Sequence, residues 1–449
     1  MTFGPPDALG GVADLYELTM GQSYLKEGMT APATFSCFFR KLPPQRGFLL
    51  AMGIEQVLDD LEDWRFSPEQ LRYLQGLGFE SDFVAWLSEV RFEGEVRGMR
   101  EGTAFYADEP VLEVTASLPV AQLLETLVLN EIGYPTLVGT KAARCVLVAR
   151  GRACVDFALR RTQGLEAGMK WARASYLAGF AATSNVAAAQ ALGIPPSGTM
   201  AHSYVMAFPS ELEAFRAYAE EYGSDTVLLV DTYDTALGVR NAAIVGREME
   251  GRGERLRGIR LDSGDHAALA KESRAILDEA GLDYVQVFAS AGMDEFTISE
   301  LVEAGAPIDG FGVGTAVGVS EDAPAGDIVY KMVEYENRPT FKLSKGKRTW
   351  PGRKQVFRSG AGDVLALADE QLEGVPLVEP LWSGGARLVA EELSTIRDRV
   401  AKQLRRLPEE RRRIVDPAPY RPQPSELLSR RQDELEEALR RTIRRGAPS

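Results

Sequence analysis

For its 449 residues the chain has little histidine and cysteine, and it has no excess of positive charge. There are only two histidines, so a catalytic role for either of them is easy to test. The three cysteines, Cys37, Cys145 and Cys154, are too few for a disulfide framework and fit a reducing compartment. No His and Cys residues have the spacing of a zinc site, so neither zinc nor haem is expected.

Long apolar runs and a basic overall charge are also missing. The net charge of −14 argues against a general nucleic-acid binder, although the C-terminal end is locally rich in arginine. No uninterrupted apolar run approaches the ~18 residues of a membrane-spanning helix. Residues 1–16 lack the basic and apolar regions of a secretion signal. We therefore expect a cytoplasmic protein with no membrane and no nucleic-acid partner.

The length predicts more than one domain, because a single compact core rarely serves 449 residues. We predict an N-terminal α+β domain over residues 1–117, and we expect residues 326–385 to belong to the same domain. Residues 118–325 are predicted to form an α/β barrel, and residues 386–449 a charged helical C-terminal extension. Within these domains we predict separate helices over residues 118–132 and 140–149, a strand or turn over 197–203, and a strand over 340–343.

The barrel prediction depends on four apolar runs that follow one another, each ending in residues that form strands poorly. They are residues 226–230, 257–261, 284–288 and 310–313. Short runs rich in Val, Ile and Leu are typical of fully buried parallel strands, and a repeat of about 30 residues is one βα unit. Segments of helical length separate the runs, as such units require.

The residues that follow these runs are of two kinds. Asp231 and Asp262 come first after their runs, where barrel strands place catalytic side chains, and such carboxylates suit Mg²⁺ or a diol. The next two runs end in small residues, in which backbone N–H groups can surround a phosphate. These small-residue ends include Ser290, Gly292, Gly312, Gly314 and Thr315. The pattern predicts an enzyme that acts on a phosphorylated sugar.

Several of these side chains have a second interpretation. His202, at a predicted strand end, could be a base, a metal ligand, a nucleophile that accepts a phosphoryl group, or a structural residue. His266 is interpreted as a surface residue beside a helix cap. Asp234 and Asp265 could be helix caps rather than ligands.

Basic side chains are the natural partners of phosphate and carboxylate groups. Arg160 and Arg260 lie beside predicted strand ends, where they could bind such a ligand or pair with the acidic residues. Lys345, Lys347, Arg353 and Lys354 belong to a loop that is either a solvated charge run or a cover over polyphosphate.

Short segments spread along the chain match one family in order. They are residues 14–20 (DLYELTM), 38–43 (FFRKLP), 140–144 (TKAAR), 159–161 (LRR), 182–185 (ATSN), 198–203 (GTMAHS), 231–235 (DTYDT), 260–264 (RLDSG) and 351–358 (PGRKQVFR). With them the sequence resembles nicotinate phosphoribosyltransferases over roughly residues 12–385. The resemblance implies the type II phosphoribosyltransferase architecture, in which an incomplete, irregular α/β barrel packs with an α+β domain. It also implies a homodimer with shared active sites.

The implied reaction joins nicotinate to 5-phosphoribosyl 1-diphosphate, releases pyrophosphate, and couples this transfer to ATP hydrolysis. The resemblance makes His202 the residue that ATP phosphorylates, and it assigns Asp231 and Asp262 to the ribose and Mg²⁺. Phe157 and the partner subunit's Tyr16 would hold the pyridine ring, with Arg260 beside the carboxylate. The remaining phosphate and diphosphate contacts would be Arg40, Lys141, Arg160 and Lys354, with the small residues named above around the 5′-phosphate. Ala158 stands where the family often has glycine, and its methyl group is expected close to the ring.

Three rival functions are considered. A nicotinamide-using relative shares the fold, but it would favour an acidic residue at the position of Ser184, because a neutral residue does not repel a carboxylate. A quinolinate phosphoribosyltransferase needs a site for two carboxylates and has no use for a phosphorylated histidine. A catalytically silent phosphate-binding barrel has no need of His202, Asp231 and Asp262.

Overall fold

The computed structural model describes residues 8–343 and 349–446. The chain divides into two compact units. One comprises Met1–Leu137 and Ala325–Ser449, and the other comprises Val138–Pro324. Among the described residues, no helix is both long and apolar enough to cross a membrane.

The N-terminal segment is mixed α and β. Its helices are α1 Leu15–Lys26, α2 Ile54–Glu62, α3 Pro68–Gly76, α4 Ser81–Glu89, α5 Leu118–Leu123 and α6 Glu125–Ala149. Its strands are β1 Pro32–Phe39, β2 Leu49–Leu50, β3 Glu95–Gly98, β4 Ala104–Phe105 and β5 Pro110–Ser117. At the start of α3, Ser67 and Gln70 form a reciprocal capping box that satisfies two backbone donors, with Pro68 at the first helical position.

The second unit alternates strands and helices. Its strands are β6 Ala153–Asp156, β7 Ala182–Thr183, β8 Val227–Leu229, β9 Gly258–Leu261, β10 Gln286–Ser290 and β11 Gly310–Val313. Its helices are α7 Leu165–Ala178, α8 Val186–Leu192, α9 His202–Met206, α10 Glu211–Tyr222, α11 Thr235–Gly251, α12 His266–Glu279, α13 Glu295–Glu303 and α14 Thr315–Gly318.

The strands of the second unit form one parallel sheet in the order β7-β6-β11-β10-β9-β8. The two edge strands, β7 and β8, are not paired with each other in the part of the chain that the structure describes, so the sheet stays open. The prediction of successive βα units is therefore confirmed, and the parallel arrangement places the carboxyl ends of all the strands at one edge.

The chain then returns to the first unit. The returning strands are β12 Ile328–Tyr335, β13 Arg338–Pro339, β14 Lys354–Ser359, β15 Gly362–Leu367, β16 Val375–Pro376, β17 Glu379–Ser383, β18 Ala386–Arg387 and β19 Gln423–Pro424. The helices are α15 Leu393–Arg406, α16 Glu409–Arg412 and α17 Glu426–Gly446. A seven-stranded sheet in the order β13-β12-β1-β5-β3-β17-β18 joins strands from both ends of the chain. Its core includes Phe35 stacked on Tyr330, with ring centroids 4.9 Å apart.

Three predictions about elements need correction. The predicted boundary after residue 117 differs from the observed division after Leu137, because α5 packs on α1, β1 and β5 of the first unit. The two helices predicted over 118–132 and 140–149 are instead the short α5 and the long α6, which runs through Pro135. Residues 340–343 form no strand, since β13 ends at Pro339.

Candidate active site

The polar residues predicted at strand ends meet at the carboxyl edge of the parallel sheet. Asp231 follows β8, Asp262 follows β9, and Ser290 is the last residue of β10. Contrary to the prediction, His202 does not lie at the end of a strand. It is the first residue of the short helix α9. We call His202, Asp231, Arg260, Asp262 and Ser290 the rim cluster.

The ring of His202 lies between two strand ends. Its Nε2 atom is 3.6 Å from Oδ2 of Asp262, and its Nδ1 atom is 3.2 Å from Oγ1 of Thr232. The side chain is 40% exposed, so the imidazole is open to a ligand on one side. One nitrogen can therefore hold a proton toward a protein oxygen while the other keeps its lone pair.

The carboxylates of the rim cluster are joined through the backbone. Oδ2 of Asp231 accepts hydrogen bonds from the Asp262 amide at 2.8 Å and from the Ser263 hydroxyl at 2.7 Å. Oδ1 of Asp231 is buried and has no hydrogen-bond partner within the described residues. The Nε atom of Arg260 is also buried without a partner among these residues, and both atoms can be satisfied by an external ligand, because unsatisfied buried polar atoms are costly.

Asp262 is also held from the neighbouring strand. The Ser290 hydroxyl donates to Oδ1 of Asp262 at 2.5 Å, and the carbonyl of Ser290 lies 2.9 Å from Nε2 of His266. His266 is partly exposed and follows the capping Asp265, as predicted, but its ring also reaches the end of the neighbouring strand from the start of α12. Asp234 and Asp265 both cap helices with their side chains, as one of the two interpretations proposed.

Arg260 adds positive charge to the rim cluster. Its guanidinium donates to the carbonyl of Met200 at 2.9 Å and lies 3.9 Å from Oδ1 of Asp262. Burial lowers the pKa of Arg260 from its ordinary value, and the charge of Asp262 opposes this shift. The guanidinium carbon is 5.9 Å from the centre of the Phe157 ring. A flat aromatic surface and a cation thus lie side by side, which suits a planar anion.

Phe157 is packed against the glycines of the next strand. A Cβ atom at Gly312 would lie 2.6 Å from the Phe157 ring, so only glycine allows the ring this position. Gly314 lies close to the Phe157 carbonyl, and Thr315 is the exposed first residue of α14. Beyond β10, Ala291 and Gly292 have φ angles of +65° and +68°. Gly292 adopts this left-handed conformation without strain, whereas Ala291 does not.

The methyl group of Ala158 packs against position 318, and its closeness to a bound pyridine ring stays a prediction. The residue is fully buried, and a Cβ atom at Gly318 would lie 2.5 Å from the Ala158 methyl carbon. The extra methyl group therefore occupies the space that glycine leaves at position 318.

Ser184 follows β7, and its amide donates to the carbonyl of Asp156 at 2.8 Å. Arg160 is exposed on a single helical turn after β6.

The remaining predicted residues are not part of the rim cluster. The ammonium of Lys141 is only 2% exposed and is paired with Glu295 at 2.9 Å and Asp322 at 2.8 Å. Lys354, also 2% exposed, is paired with Glu113 at 3.2 Å in the first unit. Each lysine is thus held in a buried ion pair with a glutamate, and its role as a phosphate contact stays a prediction.

Two other predicted residues lie in the first unit. Arg40 is 3.6 Å from Asp327, and Tyr16 is 46% exposed on α1. Lys345 and Lys347 of the predicted basic cover lie outside the described residues.

Sequence reasoning missed Thr232, Ser263 and His266 as members of this site. Each follows a strand end or a cap that had already been singled out, so its position was the available signal. The contacts of these residues could not be predicted from the sequence, because the partners are distant in the chain. Thr232 contacts His202, 30 positions away, and His266 contacts Ser290, 24 positions away.

The residues of the rim cluster fit a magnesium ion that a substrate brings with it. Among the described residues, no group of three or more His, Cys, Asp and Glu side chains could hold a metal ion by itself. Mg²⁺ is commonly bound by one or two carboxylates together with substrate phosphates. The unsatisfied Oδ1 of Asp231 and the adjacent Asp262 are such a pair.

Comparison with known families identifies relatives of both units. The profile of the nicotinate phosphoribosyltransferase (NAPRTase) N-terminal domain matches residues 12–133, and that of the NAPRTase family matches residues 152–358. A nicotinate phosphoribosyltransferase of Mycobacterium tuberculosis is 48% identical over 411 residues, which cover 90% of this chain and 88% of the relative. One from Bacillus subtilis is 41% identical over 384 residues, covering 82% and 78% of the two chains.

Solved structures agree on the fold. The crystal structure of human nicotinic acid phosphoribosyltransferase matches with a TM-score of 0.85 and 28% identity, covering 94% of this chain and 99% of the human one. A nicotinate-nucleotide pyrophosphorylase from Pyrococcus furiosus matches with a TM-score of 0.75 at 24% identity, which shows a common fold alone. The predicted combination of an open parallel α/β sheet with an α+β unit is thus shared with solved proteins.

Proposed function

Because this chain belongs to the nicotinate phosphoribosyltransferase family, we propose that it forms nicotinate mononucleotide and pyrophosphate from nicotinate and 5-phosphoribosyl 1-diphosphate. This reaction supplies a precursor for NAD. The observation that most supports the proposal is the meeting of His202, Asp262 and Arg260 at one edge of the parallel sheet, beside the Phe157 ring. The type II phosphoribosyltransferase architecture is part of the same proposal, with the human relative as its support.

The proposed chemistry needs no general base. The pyridine nitrogen attacks the anomeric carbon with a lone pair that holds no proton, while the bond from that carbon to the diphosphate oxygen breaks. The electron pair of the broken bond leaves with pyrophosphate, and positive charge develops on the ribose ring. Catalysis then depends on holding the nitrogen in line and on stabilising both developing charges.

Each side chain of the rim cluster has a role in this proposal. Arg260 pairs with the nicotinate carboxylate while Phe157 stacks on its ring, since the two groups already lie 5.9 Å apart. Asp231 and Asp262 hold the ribose hydroxyls and would bind Mg²⁺. When bound, Mg²⁺ neutralises charge on the departing diphosphate. The small residues Ser290, Gly292, Gly312, Gly314 and Thr315 surround the 5′-phosphate, and the exposed Arg160 reaches the diphosphate.

We also propose that ATP hydrolysis is coupled to the transfer through a phosphohistidine at His202. An imidazole nitrogen attacks the γ-phosphorus of ATP, the bond to the bridging oxygen breaks, and ADP leaves. The half-exposed ring beside Asp262 supports this role, because the carboxylate can orient the imidazole. Hydrolysis of the phosphohistidine after product formation then changes the affinity of the diphosphate site for its ligands.

A homodimer with shared active sites completes the proposal. The partner subunit's Tyr16 covers the second face of the pyridine ring, and Arg40 contacts the diphosphate. The large exposed fraction of Tyr16 on α1 supports this, since a half-exposed aromatic side chain is typical of an interface.

The activity is tested by measuring pyrophosphate release with nicotinate and 5-phosphoribosyl 1-diphosphate, in the presence and absence of ATP. The wild-type chain is expected to release pyrophosphate only when nicotinate is present, and ATP is expected to raise the rate. In Asp262→Asn we expect a loss of about 10²-fold or more in kcat, because transition-state charge is no longer stabilised. Asp225→Asn, at an exposed site before β8, is the matched control and should remain active. A wild-type chain that releases no pyrophosphate would overturn the proposal.

The phosphohistidine is tested by incubation with γ-labelled ATP. We expect acid-labile label on the wild-type chain and on His266→Ala, but not on His202→Ala. Because these are the two histidines of the chain, the pair of variants separates the sites. Label that is absent from the wild type, or that persists in His202→Ala, would defeat the assignment.

Preference for nicotinate over nicotinamide is proposed to depend on Ser184. An aspartate at this position would repel the carboxylate of nicotinate and accept a hydrogen bond from an amide. Ser184→Asp is therefore expected to shift the ratio of kcat/KM values toward nicotinamide. An unchanged ratio in a paired assay would refute this role.

A further inference from the structure

Asp156 is a buried carboxylate that the proposed mechanism does not use. It ends β6, is fully buried, and its two oxygens accept hydrogen bonds from three donors on separate elements. Oδ1 accepts from the Ala158 amide at 2.7 Å and from Nε1 of Trp171 on α7. Oδ2 accepts from the Thr183 hydroxyl at 2.5 Å, at the end of β7.

This arrangement uses both oxygens of Asp156 as acceptors. All three partners donate, and within the part of the chain that the structure describes no Lys or Arg is paired with Asp156. Burial raises the pKa of Asp156, while the hydrogen bonds from Ala158, Thr183 and Trp171 oppose the shift. Keeping a carboxylate in the interior without a cationic partner is costly, and the three hydrogen bonds offset part of that cost.

The groups that surround Asp156 are the ones that meet the pyridine ring in the proposed function. Phe157 follows directly, and its amide is bonded to the Val313 carbonyl at 2.8 Å. Ser184 follows Thr183, and its amide donates to the Asp156 carbonyl at 2.8 Å. Thr183 has a fixed direction of hydrogen bonding, because its hydroxyl donates to Asp156 and accepts from the Asn185 amide at 3.0 Å.

We propose that Asp156 is a positioning residue for nicotinate: through Thr183 and Trp171 it fixes the spacing between Phe157 and Ser184. The proposal rests on the proposed function, in which these two side chains contact the pyridine ring. Its consequence is that weakening the hydrogen bonds of Asp156 impairs recognition of the pyridine acid and leaves the recognition of 5-phosphoribosyl 1-diphosphate unchanged.

The test uses the full-length chain with three substitutions that avoid direct contact with substrate. Thr183→Val removes the hydroxyl at nearly constant volume, and Thr183→Ser restores it. Trp171→Phe keeps an aromatic ring but removes the Nε1 donor, which supplies a second route if Thr183→Val does not fold. KM and kcat are measured for both substrates, together with the melting temperature of each variant.

We expect Thr183→Val and Trp171→Phe to raise the KM for nicotinate about tenfold, or ~1.4 kcal/mol in binding free energy. The kcat and the KM for 5-phosphoribosyl 1-diphosphate should each change by less than about twofold. Thr183→Ser should be close to the wild type. A nicotinate KM that is unchanged, or a parallel loss for both substrates that Thr183→Ser fails to restore, would overturn the role of Asp156.

The two proposals fail in different ways. If the wild type forms no nucleotide from nicotinate, the proposed function fails, and titration calorimetry with nicotinate then decides the role of Asp156. Weaker nicotinate binding by Thr183→Val than by the wild type and Thr183→Ser would support it. Equal binding by all three chains, or no binding by the wild type, would overturn it.

Discussion

At the scale of single residues, charge and burial separate two kinds of ionisable group in this chain. The imidazole of His202 is half-exposed beside Asp262, whereas Lys141 and Lys354 are buried with carboxylate partners. The residues that flank the two lysines in the sequence do not indicate that their side chains are buried. Lys141 meets Glu295 across 154 positions and Lys354 meets Glu113 across 241, so their environment arises only in the folded chain.

Glu17, on α1 beside Tyr16, gives the stability of the chain a dependence on pH. Its side chain is fully buried, and burial raises the pKa of Glu17 to about 7, although the Thr126 hydroxyl opposes the shift. Because the folded-state pKa is raised, the contribution to stability is complete below the unfolded pKa of about 4.3. It is lost as the pH rises through about 7.

We therefore predict that Glu17→Gln flattens the fall in unfolding free energy between pH 5 and pH 8. The measurement is urea unfolding of the wild type and the variant across this range. Glu27→Gln, at an exposed position near the end of the same helix, is the control and should keep the wild-type slope. An identical slope in Glu17→Gln would contradict the prediction.

Lys354 offers a second test at this scale. Lys354→Met leaves Glu113 buried with Arg97, at 3.7 Å, as its one remaining ion-pair partner among the described residues. Breaking a buried ion pair in this way is expected to cost about 3 kcal/mol of unfolding free energy. The exposed pair of Lys26 and Glu80 is the control, and Lys26→Met should leave the unfolding free energy nearly unchanged, because water screens an exposed ion pair. If Lys354 were instead a phosphate contact, Lys354→Met would raise the KM for 5-phosphoribosyl 1-diphosphate at unchanged stability.

At the scale of elements, local signals predicted helix starts well and helix continuity poorly. Ser67, Asp234 and Asp265 all cap helices, because a cap depends only on residues two or three positions away. By contrast, residues 118–132 and 140–149 were predicted as two separate helices, whereas α6 runs without a break from Glu125 through Pro135 to Ala149. Tertiary packing of an apolar helix outweighs the local cost of one proline, and that packing is not visible in a short window.

The approach of α11 to β8 is the closest helix–strand contact that bears on the rim cluster. A Cβ atom at Gly238 on α11 would lie 2.0 Å from the carbonyl oxygen of Val230, which precedes Asp231. Gly238→Ala is therefore expected to displace the helix from the strand end and to cost about 1–3 kcal/mol of unfolding free energy.

Activity should fall with this substitution because Asp231 moves with Val230. Gly251→Ala, at the other end of α11, is the matched control, since no atom lies within 4 Å of its Cβ position. We expect the control to keep full activity and a melting temperature at or above that of the wild type, because alanine is the better helix former. Equal melting temperatures for the two variants would contradict the prediction, because they would mean that α11 accommodates the added methyl group without loss of stability.

At the scale of the whole molecule, the succession of βα units over the four apolar runs and the kind of residue after each strand were predictable from the sequence. The spatial order was not, because β6 pairs with β11 although Ala153 and Gly310 are far apart in the chain. The division after Leu137 was also missed, since α5 and the first half of α6 are as apolar as a barrel helix. Which apolar face packs on which sheet is decided by long-range contacts rather than by composition.

We propose that the rim cluster joins a pyridine monocarboxylate to a phosphorylated ribose. A single competition reaction decides this, in which equal concentrations of nicotinate, nicotinamide and quinolinate are incubated with 5-phosphoribosyl 1-diphosphate, Mg²⁺ and ATP. The nucleotide products are identified by mass. We predict that nicotinate mononucleotide forms from nicotinate well before the amide nucleotide accumulates, with one pyrophosphate for each nucleotide. If the nucleotide derives mainly from nicotinamide or quinolinate, or if none forms, the account is contradicted.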